Sequence, residues 1–256
     1  MAYVAVLTVD NISVKRGRKV TLEKVSFRVA GGQTLAVVGE SGAGKSTLIA
    51  AILGLVRLSH GKISWNHAPV SSCRPALVMQ EPLAAFNPVL SIRQTLLEPV
   101  VATRSKLAPG KLEQLCDQLE LPVDLLDRRP DEVSIGQAQR AGIIRALVSA
   151  PPLILFDEPL SALDAVTQKQ TAKLIADLQT EYGFAALIVT HDLGYAAAYA
   201  NEIAVLRAGC IEEVTPAAEF IAAPCTEYGC TLRDAAIVLG GISLDGIAPG
   251  VAGPAV

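Results

Sequence analysis

The residues best suited to chemistry form a glycine-rich stretch between a short apolar run and a segment with helical spacing. It reads GESGAGKST from residue 39 to residue 47 and matches the phosphate-loop pattern GxxxxGK[ST]. Its glycines let backbone N–H groups turn inward around phosphates, and the following helix N-terminus adds partial positive charge. Lys45 is placed to bridge the β- and γ-phosphates of a nucleotide and Ser46 to ligate Mg²⁺. The predicted phosphate-binding residues are Gly39, Glu40, Ser41, Gly42, Ala43, Gly44, Lys45, Ser46 and Thr47.

A pair of carboxylates ends a second apolar run, LILFDEP, which covers residues 153–159. Four apolar residues before Asp157 and Glu158 predict that both lie at the carboxyl end of a buried strand, the edge where ligands bind in open α/β sheets. Asp157 is predicted to hold Mg²⁺, directly or through water. Glu158 is predicted to act as a general base that polarises a water for attack on the γ-phosphate.

The elements that position these residues follow from hydrophobic patterning. Short β-branched runs, each followed by helical spacing, predict a parallel sheet covered by helices, and they cover residues 34–40, 153–159 and 185–192. The first 30 residues, with a basic turn containing Gly17, predict an antiparallel hairpin. A polar, mostly helical region at about 80–133 interrupts the strands and predicts an inserted helical subdomain. The Gly- and Pro-rich end of the chain predicts a flexible tail.

Composition excludes several classes of protein. The 256 residues are 51% hydrophobic and 18% charged, which excludes general disorder. The formal charge is −3 without a long basic run, so a nucleic-acid partner is not expected. The longest apolar stretch, residues 48–56, is far shorter than the roughly 20 residues of a membrane span. Five scattered cysteines without a CxxC pair favour reduced thiols over a disulfide framework or a zinc site.

Over about residues 7–232 the chain resembles the ATP-binding-cassette (ABC) family. Besides the two motifs above, it has Gln80 at the Q-loop, VSIGQ (133–137) at the signature, SALD (161–164) at the D-loop and His191 at the switch position. The resemblance implies an α/β fold with a P-loop NTPase (RecA-like) core, an N-terminal antiparallel β subdomain and an inserted helical subdomain. It implies an ATPase domain over 1–232 and a flexible tail over 233–256.

The resemblance also implies roles for particular residues and for partners. ATP and Mg²⁺ are the implied cofactors, with Gln80 sensing Mg²⁺ and coupling to a membrane subunit, and His191 contacting the γ-phosphate. Two cassettes pair head to tail, so Ser134, Gly136 and Gln137 contact the partner's nucleotide, and Asp164 lies at the dimer interface. Transmembrane permeases bind the cassettes directly and a solute-binding protein acts indirectly, which places the chain at the cytoplasmic face of the membrane.

Two further stretches resemble the ATPases of peptide and nickel importers. MQEPLAAFNPVLSIRQTLLEPV (79–100) is similar to their FQDPxxSLNPxxT pattern, and PCTEYGCTL (224–232) to their PxHPYTxxL tail, with Thr226 at the histidine position. This similarity implies uptake of peptides or of nickel and other metal chelates. A non-transport ATPase acting on nucleic acid or ribosomes, and a weakly hydrolysing regulatory cassette, stay open as alternatives.

Two positions depart from the family pattern. Arg16 stands where an aromatic ring usually stacks on adenine, and a guanidinium group can also stack on a base. Ile135 stands where the signature usually has glycine, and a β-branched side chain there disfavours positive φ and takes up space at the dimer seam. A weakened composite site is tolerated best beside an intact one, so a heterodimer of two different cassettes is predicted in preference to a homodimer.

Overall fold

The structure, a computed structural model, describes residues 5–17 and 19–239. Its strands are β1 (Val6–Arg16), β2 (Lys19–Ala30), β3 (Thr34–Val38), β4 (Leu58–Trp65), β5 (Ala68–Pro69), β6 (Ala76–Val78), β7 (Leu153–Asp157), β8 (Ala185–Thr190), β9 (Glu202–Arg207) and β10 (Cys210–Pro216). Its α-helices are α1 (Lys45–Ile52), α2 (Ile92–Thr103), α3 (Lys111–Gln118), α4 (Ile135–Leu147), α5 (Ala165–Tyr182), α6 (Leu193–Tyr199), α7 (Ala217–Ala222) and α8 (Glu227–Val238).

The N-terminal half of the chain opens with an antiparallel sheet in the order β2-β1-β4-β5. The predicted hairpin is confirmed, because β1 pairs antiparallel with β2 from Val6 opposite Ala30 to Arg16 opposite Lys19. Alternating residues of both strands are buried, including Leu7, Val9 and Val29. The register shifts between Val9 and Ile12 and again on both sides of Val14. These irregularities change which side chains near the turn face the rest of the protein.

The second sheet has the order β10-β9-β3-β8-β7-β6. Its central strands are parallel, as predicted, and only the edge pair of β9 and β10 is antiparallel. Every residue of β3 and β8 is buried, because helices cover one face of the sheet and α1 together with the antiparallel sheet covers the other. The carboxyl ends of β3, β8 and β7 therefore meet at one edge, where the phosphate loop, His191 and the Asp157–Glu158 pair follow.

The region of residues 80–133 is largely helical, with α2, α3 and three short 3-10 helices (Pro82–Ala85, Val123–Asp127 and Pro130–Glu132). Its buried side chains, such as Leu96 and Leu115, belong to the same apolar cluster as Ile144 of α4 and Phe156 of β7. Among the described residues, no helix combines the length and apolarity that crossing a membrane requires.

The predicted boundary between residues 232 and 233 falls inside α8, which runs from Glu227 to Val238. Thr226 caps this helix by accepting from the N–H of Gly229 at 3.0 Å, and Tyr228 is buried against the apolar cluster that also contains Phe220. Helical hydrogen bonding thus continues to residue 238. The predicted flexibility of residues 240–256 lies outside the described residues.

Candidate active site

The phosphate loop joins β3 to α1 and is folded tightly against two other segments. Gly44 has φ of 115°, a conformation that glycine adopts without steric cost. A Cβ atom there would lie 2.9 Å from the carbonyl oxygen of Thr21, and one at Gly39 would clash with the carbonyl of Leu206. The N–H of Gly209 donates to the carbonyl of Ala43 at 2.9 Å. Close backbone approach therefore explains these two glycines.

Lys45 is buried and fully engaged within the loop. Its Nζ donates to the carbonyl oxygens of Gly39 at 2.7 Å and Glu40 at 3.2 Å. It also lies 3.7 Å from Oε1 of Glu158, with both side chains largely buried. The ammonium group thus sits at the N-terminus of α1, where a phosphate would compete for it.

Glu158 is the centre of the site. Its Oε2 lies 2.5 Å from Nδ1 of His191, so one carboxylate contacts both Lys45 and His191. Its φ of 47° is uncommon for a residue with a side chain and marks local strain, which is frequent at functional sites. The N–H of Glu158 donates to the carbonyl of Val189 at 2.9 Å and so ties this turn to β8. His191, one residue beyond β8, is 64% exposed.

Asp157 is half-buried at the last position of β7. Burial raises the pKa of its carboxyl group, the charge of Glu158 raises that pKa further, and Lys45 partly opposes the shift. A carboxylate that burial disfavours is well suited to a cation. Gln80 lies two residues beyond β6, the strand that pairs with β7, and is exposed.

A cavity of about 550 Å³ opens over the loop. Of the predicted phosphate-binding residues, Ser41, Gly42, Gly44, Lys45, Ser46 and Thr47 line it, together with Glu158. Residues that the sequence did not single out complete the lining, and they are Lys19, Val20 and Thr21 of β2 with Ala208 and Gly209 of the β9–β10 turn. Glu40 and Ala43 lie instead on a neighbouring cavity behind the loop.

Arg16 does not line the nucleotide-sized cavity within the described part of the chain. Instead, β2 presents Lys19, Val20 and Thr21, with Val20 43% exposed. Counting to Arg16 assumes a regular hairpin, whereas the β1–β2 register shifts between Val14 and Lys15. The stacking of Arg16 on adenine stays a prediction. The only sequence signal for the β2 lining is its position directly after the basic turn.

The signature residues lie at the start of α4, outside this cavity. Ser134 caps the helix by accepting from the N–H of Gln137 at 3.2 Å, and the Gln137 side chain accepts from the N–H of Ser134 at 2.9 Å. Gly136 lies close to α5, since a Cβ there would be 3.8 Å from Cγ2 of Thr167. Ile135 is in the first helical turn, is 51% exposed and is not among the residues with positive φ. The predicted conformational cost of isoleucine is therefore wrong, because the backbone there is helical.

Asp164 caps α5 in the same way that Ser134 caps α4. It accepts from Thr167 Oγ1 at 2.7 Å and from the N–H groups of Val166 and Thr167, both at 3.1 Å. These bonds, that from the Thr167 hydroxyl first, lower the pKa of Asp164. Since Gly136 approaches Thr167, the N-termini of α4 and α5 lie side by side, and both are exposed.

A phosphate loop at the carboxyl edge of a parallel sheet, with an acidic pair at the end of β7 in the same sheet, defines a P-loop nucleotide-binding protein. Residues 22–161 match the ABC transporter family. The chain belongs to that family, and the predicted cassette fold is confirmed. The predicted likeness to peptide and nickel importers is confirmed by the relatives that follow.

The oligopeptide transport ATP-binding protein OppF of Haemophilus influenzae is 38% identical over 202 residues, which cover 73% of this chain and 61% of that protein. The nickel import ATP-binding protein NikE of Escherichia coli is 36% identical over 217 residues, which cover 78% of this chain and 80% of that protein. The chain thus spans about three fifths of the length of the oligopeptide relative.

A solved ATP-binding cassette, in a dimeric post-hydrolysis state bound to ADP and Pi, is 26% identical, with a TM-score of 0.72. The superposition covers 82% of this chain and 98% of that cassette.

Proposed function

We propose that the chain binds Mg²⁺-ATP in the cavity over the phosphate loop and hydrolyses it to drive uptake through partner permeases. The observation that carries the proposal is the position of Glu158, whose carboxylate contacts both the loop lysine and the switch histidine at the mouth of that cavity. The cassettes with similar sequences are named for oligopeptide transport and nickel import. Peptides or chelated metal ions are accordingly the proposed cargo.

In the proposed mechanism, phosphate oxygens displace the carbonyls of Gly39 and Glu40 from Lys45, because a charge-assisted bond to phosphate is stronger than one to a neutral carbonyl. Glu158 then loses its attraction to Lys45 and is free to accept a proton from water. His191 keeps the carboxylate oriented through the contact to Oε2 and contacts the γ-phosphate. The backbone N–H groups of the loop and the N-terminus of α1 balance the charge of the phosphates.

The oxygen ligands that Mg²⁺ prefers are present at this edge of the sheet. Ser46 offers an exposed hydroxyl in the first turn of α1, Asp157 a carboxylate whose ionised form is disfavoured without a cation, and Gln80 an amide oxygen beyond β6. These three residues are proposed to hold the ion, which would neutralise charge that develops on the phosphates.

A second cassette completes the site in this proposal. Ser134, Gly136, Gln137 and Asp164 lie outside the chain's own cavity, so they are available to a partner's nucleotide. Beside them Ile135 is 51% exposed and Val166 69% exposed, an apolar pair suited to burial in an interface. Ile135 adds bulk to the composite site that uses this signature and weakens it. A weakened site is tolerated best beside an intact one, so a heterodimer of two different cassettes is favoured.

The permease is proposed to dock on the helical region of residues 80–133, a subdomain inserted into the core. Large apolar side chains are exposed at its start, with Met79 at 37%, Leu83 at 39% and Val89 at 74%. Met79 is next to Gln80 and Leu83 follows in the same segment, so we propose that movement at the nucleotide site reaches this surface through Gln80. Such docking places the chain at the cytoplasmic face of the membrane, with a solute-binding protein acting indirectly and no nucleic acid involved.

The proposal is tested by measuring phosphate release from ATP by the full chain, alone and after reconstitution with its permeases, in Mg²⁺ and then in excess EDTA. Turnover is expected only with Mg²⁺ and is expected to rise with transported solute in the reconstituted system. A turnover rate that neither the permeases nor the solute changes, or that persists in EDTA, would contradict the proposed function.

A further inference from the structure

The C-terminal segment of residues 224–232 is hydrogen-bonded to β10 through a buried glutamate. Glu213 of β10 is 8% exposed and accepts from the N–H of Cys225 at 2.7 Å and from the hydroxyl of Thr226 at 2.5 Å. A side chain at Gly229 would clash with the same carboxylate. Thr226 stands at the histidine position of the related tail pattern. Its hydroxyl both caps α8 and donates a hydrogen bond to Glu213.

This anchoring brings Tyr228, in the first turn of α8, against the back of the phosphate loop. A cavity of about 240 Å³ is bounded by the ring, by loop residues 40–43 and by Arg207 and Ala208. The Arg207 guanidinium carbon lies 4.5 Å from the ring centroid, within range of a cation–π contact. Burial raises the pKa of the Tyr228 hydroxyl, and the charge of Glu40 raises it further, consistent with a ring enclosed beside the loop.

The phosphate loop borders that cavity with residues 40–43. It contains glycines with positive φ at residues 42 and 44, and Glu40 and Ser41 are exposed. The N–H of Gly209 in the β9–β10 turn donates to the carbonyl of Ala43, and this turn directly follows Arg207, the last residue of β9. A loop that must present several N–H groups to phosphate binds more tightly when neighbouring groups hold that shape in advance.

We propose that Tyr228 is a positioning residue for nucleotide binding, and that the C-terminal segment braces the phosphate loop through the Tyr228–Arg207 stack. The inference rests on the proposed binding of Mg²⁺-ATP. The ring supplies the brace by its shape and by its contact with Arg207. The buried hydroxyl has no hydrogen-bond partner among the described residues, so it contributes little. Removing the ring leaves the loop less ordered before the nucleotide arrives, which weakens affinity without altering Glu158 or His191.

The test compares variants of the full chain in Mg²⁺-ATP affinity by calorimetry, in the KM and kcat of hydrolysis, and in thermal midpoint. Tyr228→Leu is expected to raise Kd and KM by about tenfold, with kcat within about twofold of wild type. Tyr228→Phe keeps the ring and is expected to bind like wild type. Leu232→Ala is the matched control, since Leu232 packs in the same apolar cluster but lies away from the loop. It is expected to lower the thermal midpoint and leave Kd unchanged.

Wild-type affinity in Tyr228→Leu, equal weakening in Leu232→Ala, or loss of affinity in Tyr228→Phe would each overturn the inference. If Tyr228→Leu does not fold, Arg207→Met replaces it. Arg207 is largely exposed, and its removal is expected to weaken binding by about threefold, with unchanged affinity overturning the inference. Lys45→Ala separates the two proposals. If it binds like wild type, the proposed function fails, whereas lost binding there beside intact binding in Tyr228→Leu rejects only the brace.

Discussion

Replacing Lys45 by methionine tests whether the loop lysine stabilises the fold of the protein without added nucleotide. Methionine keeps most of the aliphatic stem and removes the ammonium group. In the structure that group donates to the carbonyls of Gly39 and Glu40 and lies 3.7 Å from Oε1 of Glu158. All three oxygens lose their cation in Lys45→Met.

The magnitude follows from these contacts. A hydrogen bond to a charged group contributes about 1.5–3 kcal/mol, and a buried charge left without its partner adds to the loss. Glu158 retains His191, which limits that second contribution. Together these contacts predict a fall of about 2–4 kcal/mol in the free energy of unfolding without nucleotide. For a chain of this size that corresponds to a thermal midpoint roughly 5–15 °C lower.

Urea unfolding, followed by circular dichroism, measures this change, and calorimetry measures Mg²⁺-ATP affinity in the same sample. Lys173→Met is the matched control, because Lys173 pairs with Asp177 at 2.6 Å while 70% exposed, and no measurable change is expected there. Affinity for Mg²⁺-ATP should also fall in Lys45→Met. An unfolding midpoint equal to wild type would refute the role of Lys45 in stabilising the protein without nucleotide.

Two further outcomes are expected. Because the pKa of Asp157 is raised in the folded state, ionisation of its carboxyl group destabilises the native state. This free-energy cost grows as pH rises from 3.8, the pKa in the unfolded chain, through the pKa in the folded protein. Asp157→Asn should therefore be at least as stable as wild type at pH 7 without Mg²⁺, with the difference shrinking as pH falls; lower stability in urea unfolding at pH 7 would contradict this. For the signature, Ile135→Gly should raise ATP turnover by the assembled pair of cassettes, because it removes a half-exposed side chain from the proposed seam. A fully active homodimer unaffected by the change would reject the proposed heterodimer of unequal sites.

Much of the candidate site could be predicted from the sequence, because its residues lie at the ends of predicted strands. The apolar runs that become β3, β7 and β8 predict a shared carboxyl edge, and the structure brings Lys45, Glu158 and His191 into contact there. Periodicity also predicts the hairpin, since its alternation of buried and exposed residues is local. These features depend on residues close together in the sequence or on one rule of sheet topology.

Contacts between distant segments did not follow from local patterns. The β2 lining of the cavity depends on register shifts in the β1–β2 hairpin, which no turn residue specifies. The approach of Tyr228 to the loop depends on Glu213, whose hydrogen bonds to Cys225 and Thr226 fix the direction of α8.

The helical conformation of Ile135 depends on the reciprocal cap between Ser134 and Gln137. An S-x-x-Q spacing signals that cap and would have predicted it.

The most direct test of the central claim, that Glu158 activates water for ATP hydrolysis, is steady-state turnover of Glu158→Gln in the assembled transporter. Glutamine keeps the shape of the side chain and cannot accept the proton, so turnover is expected to fall about 10²–10⁴-fold while Mg²⁺-ATP affinity is retained and an ATP-bound dimer accumulates. Glu181→Gln, at an exposed position on α5, should hydrolyse like wild type. Near wild-type turnover in Glu158→Gln would contradict the account.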